Sequence, residues 1–257
     1  MPFTLSHPAA ILPLVRFFKP PVLRLALVIG SMSPDLGYYA HWFTAATWAH
    51  SLAGSLLLAT PSGLLLLGGL FLVRPSLLFL MPSRQRRLLA RALSCEKPFQ
   101  AGTAASLCLA VWIGALTHLF WDSFTHPSGW FVAHLPLLQM RLTPSLPIHY
   151  ILQQLSTLTG AGLVMAVYFR LISAQPVDPD SRTADRKRWA FWSALLVISL
   201  ALACLFNIRG ILDSPGLWAV RVFLFRTATA AGGIFVALAF LSVVVIQARH
   251  SQAASRK

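Results

Sequence analysis

Acid is what this sequence has least of. Seven Asp and Glu residues stand against 21 Lys and Arg, and only Asp35, Glu96 and Asp122 precede position 178. Charged residues make up 11% of the chain and hydrophobic ones 56%, with a mean hydropathy of +0.68, which excludes an ordinary soluble globular domain. Cysteine is scarce as well. Cys95, Cys108 and Cys204 form no CxxC pair, and Cys108 and Cys204 fall in apolar runs as inert core thiols. No Gly-x-Ser-x-Gly, P-loop or dinucleotide fingerprint occurs, and no internal repeat or low-complexity tract. The N-terminus, MPFTLSHPAA, has neither a basic n-region nor an A-x-A site, so it is expected to be retained. The net charge of +14 does not indicate nucleic acid, because the basic residues cluster between apolar runs.

What is present is apolar length. Runs near 51–73, 101–121, 149–170, 189–207 and 228–247 approach or reach the ~20 residues that cross a bilayer as helix. An earlier run at 22–35 is broken at Gly30 and Pro34. The expected fold is an all-α polytopic membrane helical bundle with about six spans. Residues 1–172 form its motif-bearing core, 173–188 a cytoplasmic polar linker, and 189–257 two further transmembrane helices with a basic tail. Alternating the spans puts seventeen basic residues on one side and four (Arg141, Arg209, Arg221, Arg226) on the other. The positive-inside rule makes the first side cytoplasmic. It includes the basic loop 84–97 and both termini, and Asp35, His50, His118, Asp122 and His126 then share the external face.

That convergence defines a candidate site. His118 and Asp122 are four apart, so on a helix they share a face. His126 continues the spacing. A carboxylate at the end of an apolar span is costly unless paired or metal-bound. Asp35 follows Pro34 at a helix break. His50 and Ser51 open a span, where free backbone N–H groups favour anions. Mixed His and carboxylate donors suit a divalent metal, zinc foremost. The expected ligands are His7, Asp35, His50, His118 and Asp122, with His126 and Asp122 in catalysis and Arg141 and Ser51 toward substrate. His134 and His149 read as interfacial, and Trp42, Trp48, Trp121 and Trp130 as an interfacial aromatic belt.

The opening MPFTLSHPAAILPL, the GSMSPDLGYY turn, AHSLAG and GALTHLFWDSFTHPSGW together resemble an uncharacterised bacterial inner-membrane family of unknown function, over about residues 1–172. Their order is similar to that in the membrane-bound metal-dependent hydrolases, and distantly to zinc-dependent phospholipase C. The resemblance places metal-linked positions on His7, Asp35, His50, His118 and Asp122. Gly37 and Ala49 stand where the hydrolases have Asp and Thr. It implies a multi-pass protein of the bacterial inner membrane with a metal site that hydrolyses a phosphate ester; the charge bias puts that site at the external face, and its depth suits a lipid-linked phosphoester drawn from the membrane. A transporter using the same Asp/His cluster, or a non-enzymatic membrane protein clamped by it, is the alternative class.

His7 sets a topological condition. A straight first span would separate it from Asp35 by the membrane. Segments 8–18 and 22–35, joined by Lys19-Pro20-Pro21, can instead form a re-entrant helical hairpin with His7 and Asp35 at its open end. Arg16, Lys19 and Arg24 would lie at its tip, and the N-terminus outside.

Overall fold

The computed structural model describes residues 3–95, 100–143, 146–176, 178–209 and 216–255. Glu96, Lys97, Arg256 and Lys257, used in the charge reading, lie outside the described residues. The fold is all-α apart from a small strand pair, Arg141–Thr143 with Leu146–Pro147. Among the described residues, five helices are long and apolar enough to cross a bilayer: Leu52–Leu72, Ala101–Asp122, Ile148–Ser173, Arg182–Asn207 and Ala219–Arg249. This is a multi-pass membrane protein. Only 11% to 33% of each apolar window is buried within the protein, so hydrocarbon must cover the rest.

The remaining apolar run is no span. Its helix, Pro21–Met32, has 12 residues, a rise of roughly 18 Å against a ~30 Å core. It pairs back on the segment before it, as the hairpin reading requires. That first arm is a 3-10 helix, Thr4–Ile11, followed by a 3-10 turn, Val15–Phe17. Pro8 and Pro13 withhold N–H donors from it, which disfavours regular α-helix. Pro20 and Pro21 then turn the chain, with Pro21 opening the second arm, where its missing N–H costs nothing. At the tip, Arg24 Nε donates to the Phe18 carbonyl at 2.7 Å, and the Arg16 guanidinium lies 4.7 Å from the Phe17 ring centre.

The chain divides into two compact units. The first comprises Met1–Leu36, Thr44–Gly69 and Ala90–Gln175. Its centre is the packing of Pro21–Met32 against Ala101–Asp122, where Ala26, Leu27, Ala110, Val111 and Ala115 are fully buried. The backbones approach closely because of two glycines. A methyl on Gly30 would overlap the Val111 carbonyl, and one on Gly114 the Leu27 carbonyl and Ser31 N. Thr4–Ile11 also packs on Ile148–Ser173. There the Phe3 N–H donates to Thr157 Oγ1 at 3.2 Å, Ser6 Oγ donates to the Thr157 carbonyl at 3.0 Å, and Gly160 makes room for Ser6. The Leu52–Leu72 helix carries a π turn at Ser55–Ala59. Thr60 Oγ1 donates to the Ser55 carbonyl at 2.8 Å there.

The second unit comprises Gly37–Phe43, Leu70–Leu89 and Pro176–Lys257. Arg182–Asn207 packs along Leu217–Ser255, meeting it through Ala203, Ala230 and Ala231. Val73, Leu77, Leu80 and Val243 form its apolar core. Gly232 and Gly233 accommodate Tyr39, which a side chain at either would displace. Residues 182–188, basic and polar, are already helical. Asp185 in that turn accepts from Ser83 N at 2.9 Å, from the Ser83 and Ser181 hydroxyls, and from Arg188 Nη1 at 3.1 Å.

Candidate metal centre

Six residues meet inside the first unit: His7, Asp35, His50, His118, Asp122 and His126. Five local devices deliver them. His118 and Asp122 occupy one face at the end of the Ala101–Asp122 helix. Asp35 ends the short 3-10 turn Ser33–Asp35, which stops the hairpin's second arm. His50 follows Phe43–Ala49 and precedes the next helix, which Ser51 caps by accepting from Gly54 N. His7 comes from the hairpin's first arm and stacks on His118, ring centres 3.6 Å apart. His126 sits in the turns after Asp122.

The nitrogen assignments follow from backbone acceptors. His118 Nδ1 lies 2.9 Å from the Ser31 carbonyl, and His50 Nδ1 lies 2.7 Å from the Ala46 carbonyl. A carbonyl only accepts, so each Nδ1 carries the proton and each neutral ring presents a bare Nε2. Both carbonyls are spared by local structure. A 3-10 bond to the Ser31 carbonyl would come from residue 34, a proline without N–H. The His50 N–H, which would serve Ala46 in a continuing α-helix, bonds to the Thr47 carbonyl instead.

The two Nε2 atoms face each other at 3.2 Å. With both lone pairs pointing inward, this approach is repulsive unless a cation or proton lies between them. Two carboxylates complete the arrangement. His50, His118 and Asp122 Oδ2 form a triangle with sides of 3.2, 3.3 and 3.6 Å. His50, His118 and Asp35 Oδ1 form a second, sharing the imidazole edge, with sides of 3.2, 3.2 and 3.6 Å. Ligands about 2.0–2.1 Å from a tetrahedral ion stand about 3.3–3.4 Å apart, so each triangle has the size of a coordination face. At 3.6 Å a direct hydrogen bond is not made.

Unsatisfied atoms collect here. Both His7 nitrogens, Asp35 Oδ1, both Asp122 oxygens and His126 Nε2 are buried without a hydrogen-bond partner. Such groups are costly in a low-dielectric interior unless something binds them. A divalent cation fits this donor set, and the sets His7–Asp35–His118 and His50–His118–Asp122 both cluster tightly enough to hold one. The side chains of His7, Asp35 and His118 are wholly enclosed, whereas those of His50 and His126 are 19% and 21% exposed. The centre therefore opens on the His50 and His126 side.

His126 is adjacent to the two triangles without forming either. Its Nδ1 lies 3.4 Å from Asp122 Oδ1 and 3.2 Å from the Asp122 carbonyl. Burial lowers its pKa, against the upward pull of the Asp122 carboxylate, and so favours the neutral ring. Ser51 is exposed, and its hydroxyl is engaged with Trp48 and Gly54. Arg141 is exposed on the small strand pair. His134 is likewise exposed, its Nδ1 bonded to the Trp130 carbonyl, and His149 Nδ1 bonds to the Leu138 carbonyl. Sequence reasoning missed Thr4, whose hydroxyl donates to Asp35 Oδ2 at 2.6 Å. The available signal was the three-residue spacing of Thr4 and His7, which a 3-10 helix eclipses on one face.

Residues 1–246 match the family model described as Domain of unknown function (DUF4184), and the chain belongs to that family. No curated protein matches it, and no solved structure does.

Proposed function

We propose that this protein is a zinc-dependent hydrolase that cleaves a phosphoester carried by a membrane lipid at the external face of the bacterial inner membrane. The observation that carries the reading is the inward-facing Nε2 pair of His50 and His118, flanked by two carboxylates. Asp35, His50, His118 and Asp122 would hold the ion, with His7 packed against His118 and within reach of Asp122 Oδ1 at 3.6 Å. A divalent ion so held supplies Lewis acidity and lowers the pKa of a water nucleophile. The protein's own groups do the rest. His126 takes a proton at Nε2, kept bare because Nδ1 faces the Asp122 carbonyl. Asp122 Oδ1 orients that imidazole. The enclosed hairpin arm excludes water from the far side.

Three features favour a lipid substrate. The cluster lies at the end of a spanning helix, its open side belongs to His50 and His126, and their chain neighbours Trp48 and Trp130 are exposed. Aromatics of this kind sit at headgroup depth. The charge bias, taken with five spans and a hairpin entering from outside, supports the external side. A transport pathway would need access from both sides, which the enclosure of His7, Asp35 and His118 opposes.

The test is elemental analysis of detergent-purified protein beside Asp122→Ala, followed by phosphate or headgroup release from defined lipid vesicles. Stoichiometric zinc in the wild type, lost in the variant together with turnover, is expected. Wild-type protein that takes up no divalent metal would sink the reading.

A further inference from the structure

The Asp35 carboxylate is wholly buried, and among the described residues its charged partners are the imidazoles of His50 and His118. Its two oxygens have separate surroundings. Oδ1 has no hydrogen bond and lies 3.2 Å from His50 Nε2 and 3.6 Å from His118 Nε2. Oδ2 accepts from Thr4 Oγ1 at 2.6 Å, the short distance of a hydroxyl donating to an ionised carboxylate. Thr4 is itself buried.

We propose that Thr4 is a positioning residue: its hydroxyl holds Asp35 Oδ2 so that Oδ1 faces the two imidazoles, making the N-terminal turn part of the metal centre. The inference rests on the metal reading above. Asp35 is free to rotate about its Cβ–Cγ bond, a soft torsion that its own backbone does not fix. One donor on one oxygen removes that freedom, the way an outer hydrogen bond orients a ligating carboxylate. The donor is in turn anchored. Thr4–Ile11 is 3-10 helix, so Thr4 and His7 are eclipsed and face the centre together. On either side of Thr4, Phe3 N–H and the Ser6 hydroxyl are tied to Thr157, one turn from Gly160. The positioning thus runs from the Ile148–Ser173 helix through a strap of four residues to a carboxylate on another element.

Two substitutions separate the hydroxyl from the space it fills. Thr4→Val keeps the shape and deletes the donor; Thr4→Ser keeps the donor and deletes the methyl. Zinc affinity of full-length purified protein is measured by competition with a chromophoric chelator. Thr4→Val is expected to weaken binding about 10–100-fold, the usual loss for an outer-shell donor, while Thr4→Ser stays within about threefold of wild type. Should Thr4→Val fail to accumulate, Thr4→Ala carries the test beside Thr4→Ser, the two differing only in the hydroxyl, and binding about 10–100-fold weaker than wild type is expected of Thr4→Ala. Wild-type affinity in Thr4→Val or Thr4→Ala overturns the inference and leaves the metal reading standing. Equal losses in Thr4→Val and Thr4→Ser also overturn it, since volume would then be the cause. Absence of zinc binding in the wild type overturns the metal reading, and this inference with it.

Discussion

The two compact units bury different kinds of atom. Among the described residues, the first encloses His7, Asp35, His118 and Asp122, whereas the buried polar side chains of the second are serines and threonines alone: Ser76, Ser83, Ser199, Thr227 and Thr229. A serine or threonine in a membrane helix can return its hydroxyl to a carbonyl of the preceding turn, as Ser199 does with Leu195 and Thr229 with Phe225. A carboxylate has no such local remedy. The second unit can therefore be stable on packing and short polar contacts, while the first needs something further to settle its charges. On the function proposed above, the chemistry belongs to the first unit.

The largest expected effect is on the cluster. Asp122→Ala or His118→Ala should abolish metal binding and leave buried partners uncompensated, a loss of about 3–5 kcal/mol readable in a detergent melting curve. Retention of metal in either variant would erase the distinction between the units. Next is the close helix crossing. Gly114→Val forces a side chain into the Leu27 carbonyl and should lower stability by about 1–3 kcal/mol or more, with partial loss of metal measured in the surviving folded fraction. Acid should act on one unit only. Ligating imidazoles must be neutral, so metal occupancy should fall as pH is lowered across the range from about 8 to about 5 and be highest at its upper end. Zinc content after equilibration across that range checks the direction; occupancy that rises in acid contradicts it. The smallest effect belongs to the second unit. Asp185→Ala removes acceptors from Ser83, Ser181 and Arg188 and should cost about 1 kcal/mol of thermal stability, with metal content unchanged.

Much of this was legible in the sequence, for identifiable reasons. Apolar length marks a spanning helix because the bilayer has a fixed thickness, and the five long runs are helices. The His118–Asp122 spacing has one meaning on a helix. Pro34 flagged the break that turns Asp35 inward. The hairpin could be inferred because Lys19-Pro20-Pro21 leaves two segments too short to cross. Less legible was anything set by 3-10 or π geometry. Thr4 reaches Asp35 through a 3-10 arm that an α-helical reading would wind differently, and the π turn at Ser55–Ala59 breaks the helical register after His50. Carbonyl acceptors such as Ser31 and Ala46 leave no trace in residue type at all. Ser51 reads toward substrate because it opens a helix, and its hydroxyl accepts from Gly54 N as the cap of that helix.

Those two carbonyls have a bearing on how the centre tolerates change. A histidine oriented by a neighbouring Asp or Glu can be disabled by replacing that neighbour. Here the atoms that hold His50 and His118 in register belong to the main chain, so almost any side chain at 31 or 46 that fits the space still offers the same oxygen. The weak point moves to a residue that touches neither imidazole. Pro34, three residues beyond Ser31, has no N–H to offer that oxygen, whereas another amino acid there would present one. The centre's register is thus written in main-chain oxygens rather than in side chains.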